Sequence, residues 1–170
     1  MRKKQTIECA GDVCRVYLTN KIGQIVGEGI FDEKHHNLVK SGRWCKDSVG
    51  YLVMTKNYKR YRLHTLILPK KQGYEIDHIN GNKLDNREAN LRYATHRQNL
   101  RNMNGPKRGL TEMRGIRLRV FNRSQKWSAR IMVDYKEINL GVFNTKDEAI
   151  RARLKAEQEH FGEFAPRRSS

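Results

Sequence analysis

Residues 75–99 constrain this chain more than any other stretch. Glu75-Ile76-Asp77-His78-Ile79 reads as a short strand, and Asn80-Gly81-Asn82 stops it with a turn that tolerates left-handed backbone. A polar loop follows as far as Asn90-Leu91-Arg92. Thr95 is then a good N-cap for a helix over His96–Met103. Neighbouring strand residues point to opposite faces, so Asp77 and His78 can share a site only at a strand end, where the chain bends into the turn. The Asn90 amide can hydrogen-bond the loop backbone and fix the turn that aims His78. Asn80, Asn82, Asp85 and Asn86 are turn-formers.

The residue types in this stretch suit one kind of chemistry. A carboxylate at Asp77 and a carboxamide oxygen at Asn99 are hard ligands suited to Mg²⁺ or Mn²⁺. A neutral imidazole at His78 can take a proton from water. Together they suit metal-assisted hydrolysis of a phosphodiester, with one divalent ion per site.

The charge points the same way. The 170 residues carry 35 Lys and Arg against 18 Asp and Glu, a net +17, and only 37% are hydrophobic. Such an excess repels itself unless a polyanion accepts it, so nucleic acid is the first candidate partner and a membrane surface the second, though no basic amphipathic helix stands out. Lean hydrophobic content favours two small modules over one large core. Residues 1–63 hold 13 basic and 6 acidic side chains, residues 64–105 hold 7 and 4, and residues 106–170 hold 15 and 8. The segment with the chemistry is the least basic, so the flanks supply the attraction. No run reaches the length of a membrane span, and Met1–Thr6 leads into no signal-like core. The expectation is an intracellular protein with no membrane association, in the cytoplasm of a bacterial host if a phage encodes it. Three cysteines, Cys9, Cys14 and Cys45, without a secretory signal, argue against a disulfide framework. Paired Cys-x-x-Cys knuckles for zinc are missing as well, which leaves buried or free thiols.

Upstream, residues 1–63 read as short strands broken by Asn20, Gly23, Gly27 and Gly29, with a short helix within 32–42 capped by Asp32 and with Trp44 in the core. Residues 50–55 and 58–63 form a hairpin turning at Lys56-Asn57. Its Lys56, Lys59, Arg60 and Arg62 make a basic face, either a solvated surface or a contact for the nucleic-acid backbone. Leu63–Pro69 is a buried element. Residues 106–113 are a Gly- and Pro-containing linker. Beyond it, Gly115-Ile116-Arg117-Leu118-Arg119-Val120 alternates strictly, and two more strands and a helix opened by the capping box Thr145-Lys146-Asp147-Glu148 complete a second module. Ala149, Ala152 and Ala156 line one stripe of that helix and let it approach the sheet closely.

With these residues in view, the stretch from Leu63 to Asn102 resembles the HNH nucleases of phage and intron homing type. The likeness rests on Leu63-His64-Thr65-Leu66-Ile67, on the run from Asp77 to Asn86, on Asn90-Leu91-Arg92 and on Ala94-Thr95. It implies a ββα-metal fold over about 63–103, with His78 as general base, Asp77 and Asn99 as metal ligands and Asn90 as the structural middle residue. His96, one helical turn before Asn99, is a lesser candidate for the ligand role. His64 is structural or a phosphate contact. Residues 114–165 resemble the plant ethylene-response-factor (apetala-type) DNA-binding domain, through Arg114-Gly115-Ile116-Arg117, Lys126-Trp127-Ser128-Ala129, Asn139-Leu140-Gly141-Val142-Phe143 and Phe161-Gly162-Glu163-Phe164-Ala165. That likeness implies a three-stranded sheet lying in the major groove, contacting DNA through Arg114, Arg117, Arg119, Trp127 and Arg130.

The sequence therefore predicts an α+β chain: a strand-rich region with a nuclease core in residues 1–105, a linker at 106–113, and a three-stranded antiparallel sheet with one packed helix in 114–170. The expected activity is a phage or homing endonuclease that nicks or cuts duplex DNA, acting as a monomer or weak dimer with no required protein partner. A non-catalytic DNA-binding regulator is the alternative.

Overall fold

The computed structural model describes residues 5–102, 113–121 and 124–166, which fall into two compact units, 1–96 and 97–170. The fold is mixed α+β, built from small antiparallel sheets and short helices. Among the described residues no helix is long and apolar enough to cross a membrane.

The first unit opens with a meander of β1 (Ile7–Ala10), β2 (Val13–Thr19) and β3 (Ile25–Asp32), paired in that order. Strict alternation on β2 turns Cys14, Val16 and Leu18 inward. β3 runs straight through Gly27 and Gly29, which the sequence reading took as strand breaks. Gly29 is there for close packing, since a Cβ at that position would collide with Leu52. The tight turn at Gly11 puts Cys9 opposite Cys14 across β1 and β2, and the two are joined by a disulfide. This corrects the expectation of free thiols: directly opposed cysteines meet whatever the total count is. Cys45 is free and exposed.

A 3-10 turn at Glu33–His35 leads into α1 (His36–Lys40). Asp32 does not cap it; its carboxylate instead accepts a hydrogen bond from the Glu88 N–H at 2.7 Å. The second sheet holds β4 (Trp44–Lys46), β5 (Leu52–Lys56) and β6 (Lys59–Arg62), with the turn at Asn57-Tyr58 in left-handed backbone. α2 (Leu63–Ile67) follows directly. The homing-type likeness implies a strand here, but Leu63, His64 and Ile67 are all buried, which is helical spacing, and Pro69 ends the element. β7 (Glu75–His78) and β8 (Leu91–Ala94) pair as a two-stranded antiparallel hairpin. α3 (His96–Asn102) comes next in the chain and, apart from His96, belongs to the second unit. One core serves the first unit. Cys14, Val16, Phe31, Val39, Trp44 and Leu52 pack with Leu63 and Ile67 of α2 and reach Leu91 of β8. The buried Trp44 indole donates to the Val39 carbonyl at 2.8 Å, so its polar edge is satisfied.

In the second unit β9 (Ile116–Phe121), β10 (Ser124–Val133) and β11 (Lys136–Phe143) form a sheet in the order β11-β10-β9. α4 (Lys146–Phe161) covers one face. The capping box is formed: Thr145 Oγ1 accepts from the Glu148 N–H, and the Glu148 carboxylate accepts from the Thr145 N–H. Ala149 and Ala156 are buried against Ile116, Ala129 and Ile131, as the small-residue stripe predicts. The linker expected at 106–113 lies, apart from Met113, outside the described residues.

Candidate active site

The site starts at the end of β7. Asp77 and His78 are its last two residues, and each is 5% exposed. Asp77 stands opposite Arg92 of β8, and the guanidinium reaches Asp77 Oδ2 at 2.9 Å from Nε and 2.8 Å from its terminal nitrogen. Burying a carboxylate is costly unless it is paired, and Arg92 provides the pairing. The chain then turns at Gly81 (φ 73), as the Asn-Gly signal predicts.

The loop from Ile79 to Asn90 is held at both ends. Asn90 Oδ1 accepts from the Asn80 N–H at 3.0 Å and Asn90 Nδ2 donates to the Asp85 carbonyl at 2.7 Å. This is the loop-fixing geometry expected of Asn90. Asp85 and Asn86 are more than turn-formers: they are 2% and 0% exposed. Asp85 accepts from Arg87 Nε at 2.9 Å, from an Arg87 terminal nitrogen at 2.7 Å and from Asn80 Nδ2 at 2.9 Å. Backbone bonds from Ile30 N–H to the Leu84 carbonyl (2.8 Å) and from Asn86 N–H to the Ile30 carbonyl (2.7 Å) tie the loop to β3. The alternating Asn/Asp pattern hid this role, because a buried polar anchor and an exposed turn residue read alike in sequence.

Two further rings stand beside His78. His64 of α2 is 5.1 Å away edge-on, and Tyr51 is 5.9 Å from His78 and 4.9 Å from His64, centroid to centroid. Burial lowers the His78 pKa below the ordinary imidazole value, against an opposing pull from hydrogen bonding with Asn86 and from the Asp77 and Asp85 carboxylates. His64 is pushed down to about 3, chiefly by burial, with the proximity of His78 and the Arg62 charge adding to it. Both rings are therefore neutral at pH 7, the state a general base needs. Burial raises the Tyr51 pKa, so its phenol keeps its proton.

The sign of these shifts predicts acid instability. A histidine whose folded pKa lies below its unfolded value binds more protons when unfolded, so stability is complete above about pH 6.5 and falls as the pH drops toward the folded pKa. Each such group adds a slope of about 1.4 kcal/mol per pH unit inside that window. Replacing His64 by Phe keeps a ring against Tyr51 and removes one titration. Urea unfolding from pH 6.5 to 4.5 should show the combined slope of His64 and His78 in the unsubstituted chain and its reduction by about one proton's worth in His64→Phe. Equal slopes in the two proteins would show that His64 titrates normally.

The Asp77 carboxylate in the first unit and the Asn99 carboxamide on α3 each carry oxygen donors of the hard type that Mg²⁺ or Mn²⁺ takes. Among the described residues no three His, Cys, Asp or Glu side chains gather into a metal cluster. Asn99 is partly buried on α3 and is counted with the second unit. His96, the lesser candidate, is exposed, with Nδ1 2.8 Å from Glu75 Oε1.

On the sheet of the second unit, Arg117 and Arg119 are exposed on β9, and Ser128, Arg130, Glu137 and Asn139 line a shallow pocket with Arg119 on the face away from α4. Arg119 Nε donates to Ser128 Oγ at 3.2 Å and Arg130 to Glu137 Oε2 at 2.6 Å. Arg114 is exposed just before β9. Trp127 requires correction: it packs on the opposite face with Ile116, Ala129 and Ala149, and so is part of the core beneath the helix. In the first unit Arg60 and Arg62 are exposed on β6.

Residues 67–101 match the family model described as HNH endonuclease. The chain is also similar to "Protein 3.8" of Escherichia phage T7, 29% identical over 123 residues, covering 66% of this chain and 98% of that protein. No solved structure matches it. The family match supports a nuclease with DNA as substrate, and the phage relative fits a phage origin. The match stops at residue 101, so the sheet of the second unit lies outside it.

Proposed function

We propose that this chain is an HNH DNA endonuclease of phage or homing type. A neutral imidazole, buried beside the Asp77 carboxylate that Arg92 pairs, at the mouth of a loop that Asn90 pins, carries this reading. His78 takes a proton from water on a ring nitrogen. The water oxygen attacks the phosphorus, and the bond from phosphorus to the 3′ oxygen breaks. Asp77 and Asn99 would hold one Mg²⁺ or Mn²⁺, which supplies electrostatic stabilisation to the leaving oxygen. Arg92 pairs with Asp77 and orients it, and Asn90 holds the loop. A ββα-metal arrangement of β7, β8 and α3 belongs to this proposal.

In the second unit, the open face with Arg117, Arg119 and Arg130, preceded by Arg114, would lie in the major groove of duplex DNA, as in ethylene-response-factor-like domains. Trp127 has no part in that contact. Arg60 and Arg62 add backbone attraction. The protein would act as a monomer or weak dimer without a protein partner. The regulator alternative leaves Asp77, His78 and Asn99 without a task.

Incubating the full chain with supercoiled plasmid should give nicked or linear DNA with Mg²⁺ or Mn²⁺ and none with excess chelator. Intact plasmid under conditions where the protein binds it would overturn the enzyme reading and leave the regulator.

A further inference from the structure

Tyr51 sits against both histidines of the site and also collects two cations. The Arg62 guanidinium carbon lies 4.4 Å and the Lys83 Nζ 4.6 Å from the Tyr51 ring centroid. The placement is built in. Asp47 Oδ1 accepts from the Val49 N–H at 3.0 Å and the Tyr51 N–H at 2.8 Å, closing a turn that fixes Tyr51. Lys83 Nζ donates to the Val49 carbonyl of that turn at 3.1 Å. Arg62 Nη2 lies 3.7 Å from Asp47 Oδ2, outside hydrogen-bond range.

Two like charges on one ring repel each other. The ring quadrupole offsets only part of that cost. Asp47 offers little more, since its carboxylate is already occupied by backbone N–H groups, which together with Arg62 hold its pKa down against the effect of burial. The arrangement fits an anion that bridges both cations. One such anion in this protein's proposed reaction is a phosphodiester, and the cations share the Tyr51 ring, which lies 5.9 Å from the imidazole that would receive the proton.

We infer that Arg62 and Lys83, seated on Tyr51, form the binding place for the phosphate that is cut, with Tyr51 as the positioning residue. Arg62 thereby differs from Arg60 on the same strand, whose contact would be with remote backbone. Lys83, which the sequence reading passed over inside a turn, becomes a substrate contact. This inference rests on the nuclease reading, and the test separates the two.

The test uses the full chain carrying Arg62→Gln and Lys83→Gln, both singly and together. Lys21→Gln with Lys40→Gln serves as a charge-matched control on exposed positions away from the site. Two quantities are read. The first is the single-turnover cleavage rate at saturating duplex with Mg²⁺. The second is the shift of the His64 and His78 imidazole NMR signals when a 12-base-pair duplex is added without metal. The double variant should cut about a hundredfold or more slowly at saturation, and its salt slope of binding should fall by about two. Its imidazole signals should no longer respond to duplex, while Lys83→Arg restores most of the rate and the control behaves like the parent. An unchanged saturated rate, or imidazole shifts that persist in the double variant, would overturn the inference. If the parent cuts nothing but its imidazoles respond to duplex and the double variant's do not, the nuclease reading falls and the phosphate seat stands. The singly substituted Lys83→Gln changes a half-buried loop side chain and keeps the test readable if the double variant is unstable.

Discussion

His78→Ala is expected to lower the single-turnover cleavage rate by about 10²–10⁴-fold, the usual contribution of a positioned general base, and to leave duplex affinity nearly unchanged. Rate and affinity separate because of where charge sits. His78 is neutral and 5% exposed, so it adds nothing to the electrostatic attraction that dominates DNA affinity. That attraction comes from the basic side chains around it. Truncation also removes the ring that packs against His64 and Tyr51, at a stability cost of about 1–3 kcal/mol, so the comparison belongs well below the melting temperature. His78→Gln leaves less of a hole and should lose the rate just as far, since a carboxamide cannot accept a proton at pH 7. Loss of cutting and binding together would reassign His78 to holding the loop. A rate within tenfold of the parent would move the base elsewhere, with His64 the next ring.

Much of this site was legible in the sequence, because its signals are local. Asn-Gly after a strand demands a turn, and a carboxamide at Asn90 can reach back to the loop it closes. The structure has both. Alternation on β9 likewise put Arg117 and Arg119 on the open face. Errors arose where distant partners decide the outcome. Gly29 reads as a break because nothing local announces that Leu52 will press on β3 there. Leu63–Ile67 reads as a strand or a helix until the first unit's core claims positions 63 and 67. Trp127 was avoidable: it shares parity with the core residues Ala129 and Ile131, and Arg130 has the other parity, so Trp127 and Arg130 could not occupy one face of a regular strand. The role of Lys83 depends on a turn more than thirty residues upstream, which no window around the motif contains.

Glu157→Ala is expected to destabilise the second unit by about 3–5 kcal/mol, the usual cost of leaving one member of a buried ion pair alone. Arg153 and Glu157 are 6% and 2% exposed, one turn apart on α4, with Arg153 Nε 2.9 Å from Glu157 Oε1. Arg153 also donates to the Arg130 carbonyl, at the point where the Arg130 N–H bonds the Gly115 carbonyl at 3.0 Å. Gly115 lies there with φ 87, and a Cβ on it would strike the Arg130 carbonyl oxygen. The pair thus supports the strand that carries Arg130 and the entry to β9. Against a core of Ile116, Ala129, Ile131, Ala149, Ala156 and Phe161, a loss of this size takes most of what a small domain has. The functional consequence follows from α3. Arg101 reaches Asp134 Oδ1 at 2.9 Å and lies 5.5 Å over the Phe161 ring, so the helix that carries Asn99 is anchored to the same unit. Thermal unfolding of Glu157→Ala, followed by resonances of both units, should show the second unit melting first with the first unit intact. Cleavage should fall together with site recognition. If cutting survives at low salt while the second unit is unfolded, Asn99 needs no support from it, and the chemistry resides wholly in residues 1–96 with the start of α3.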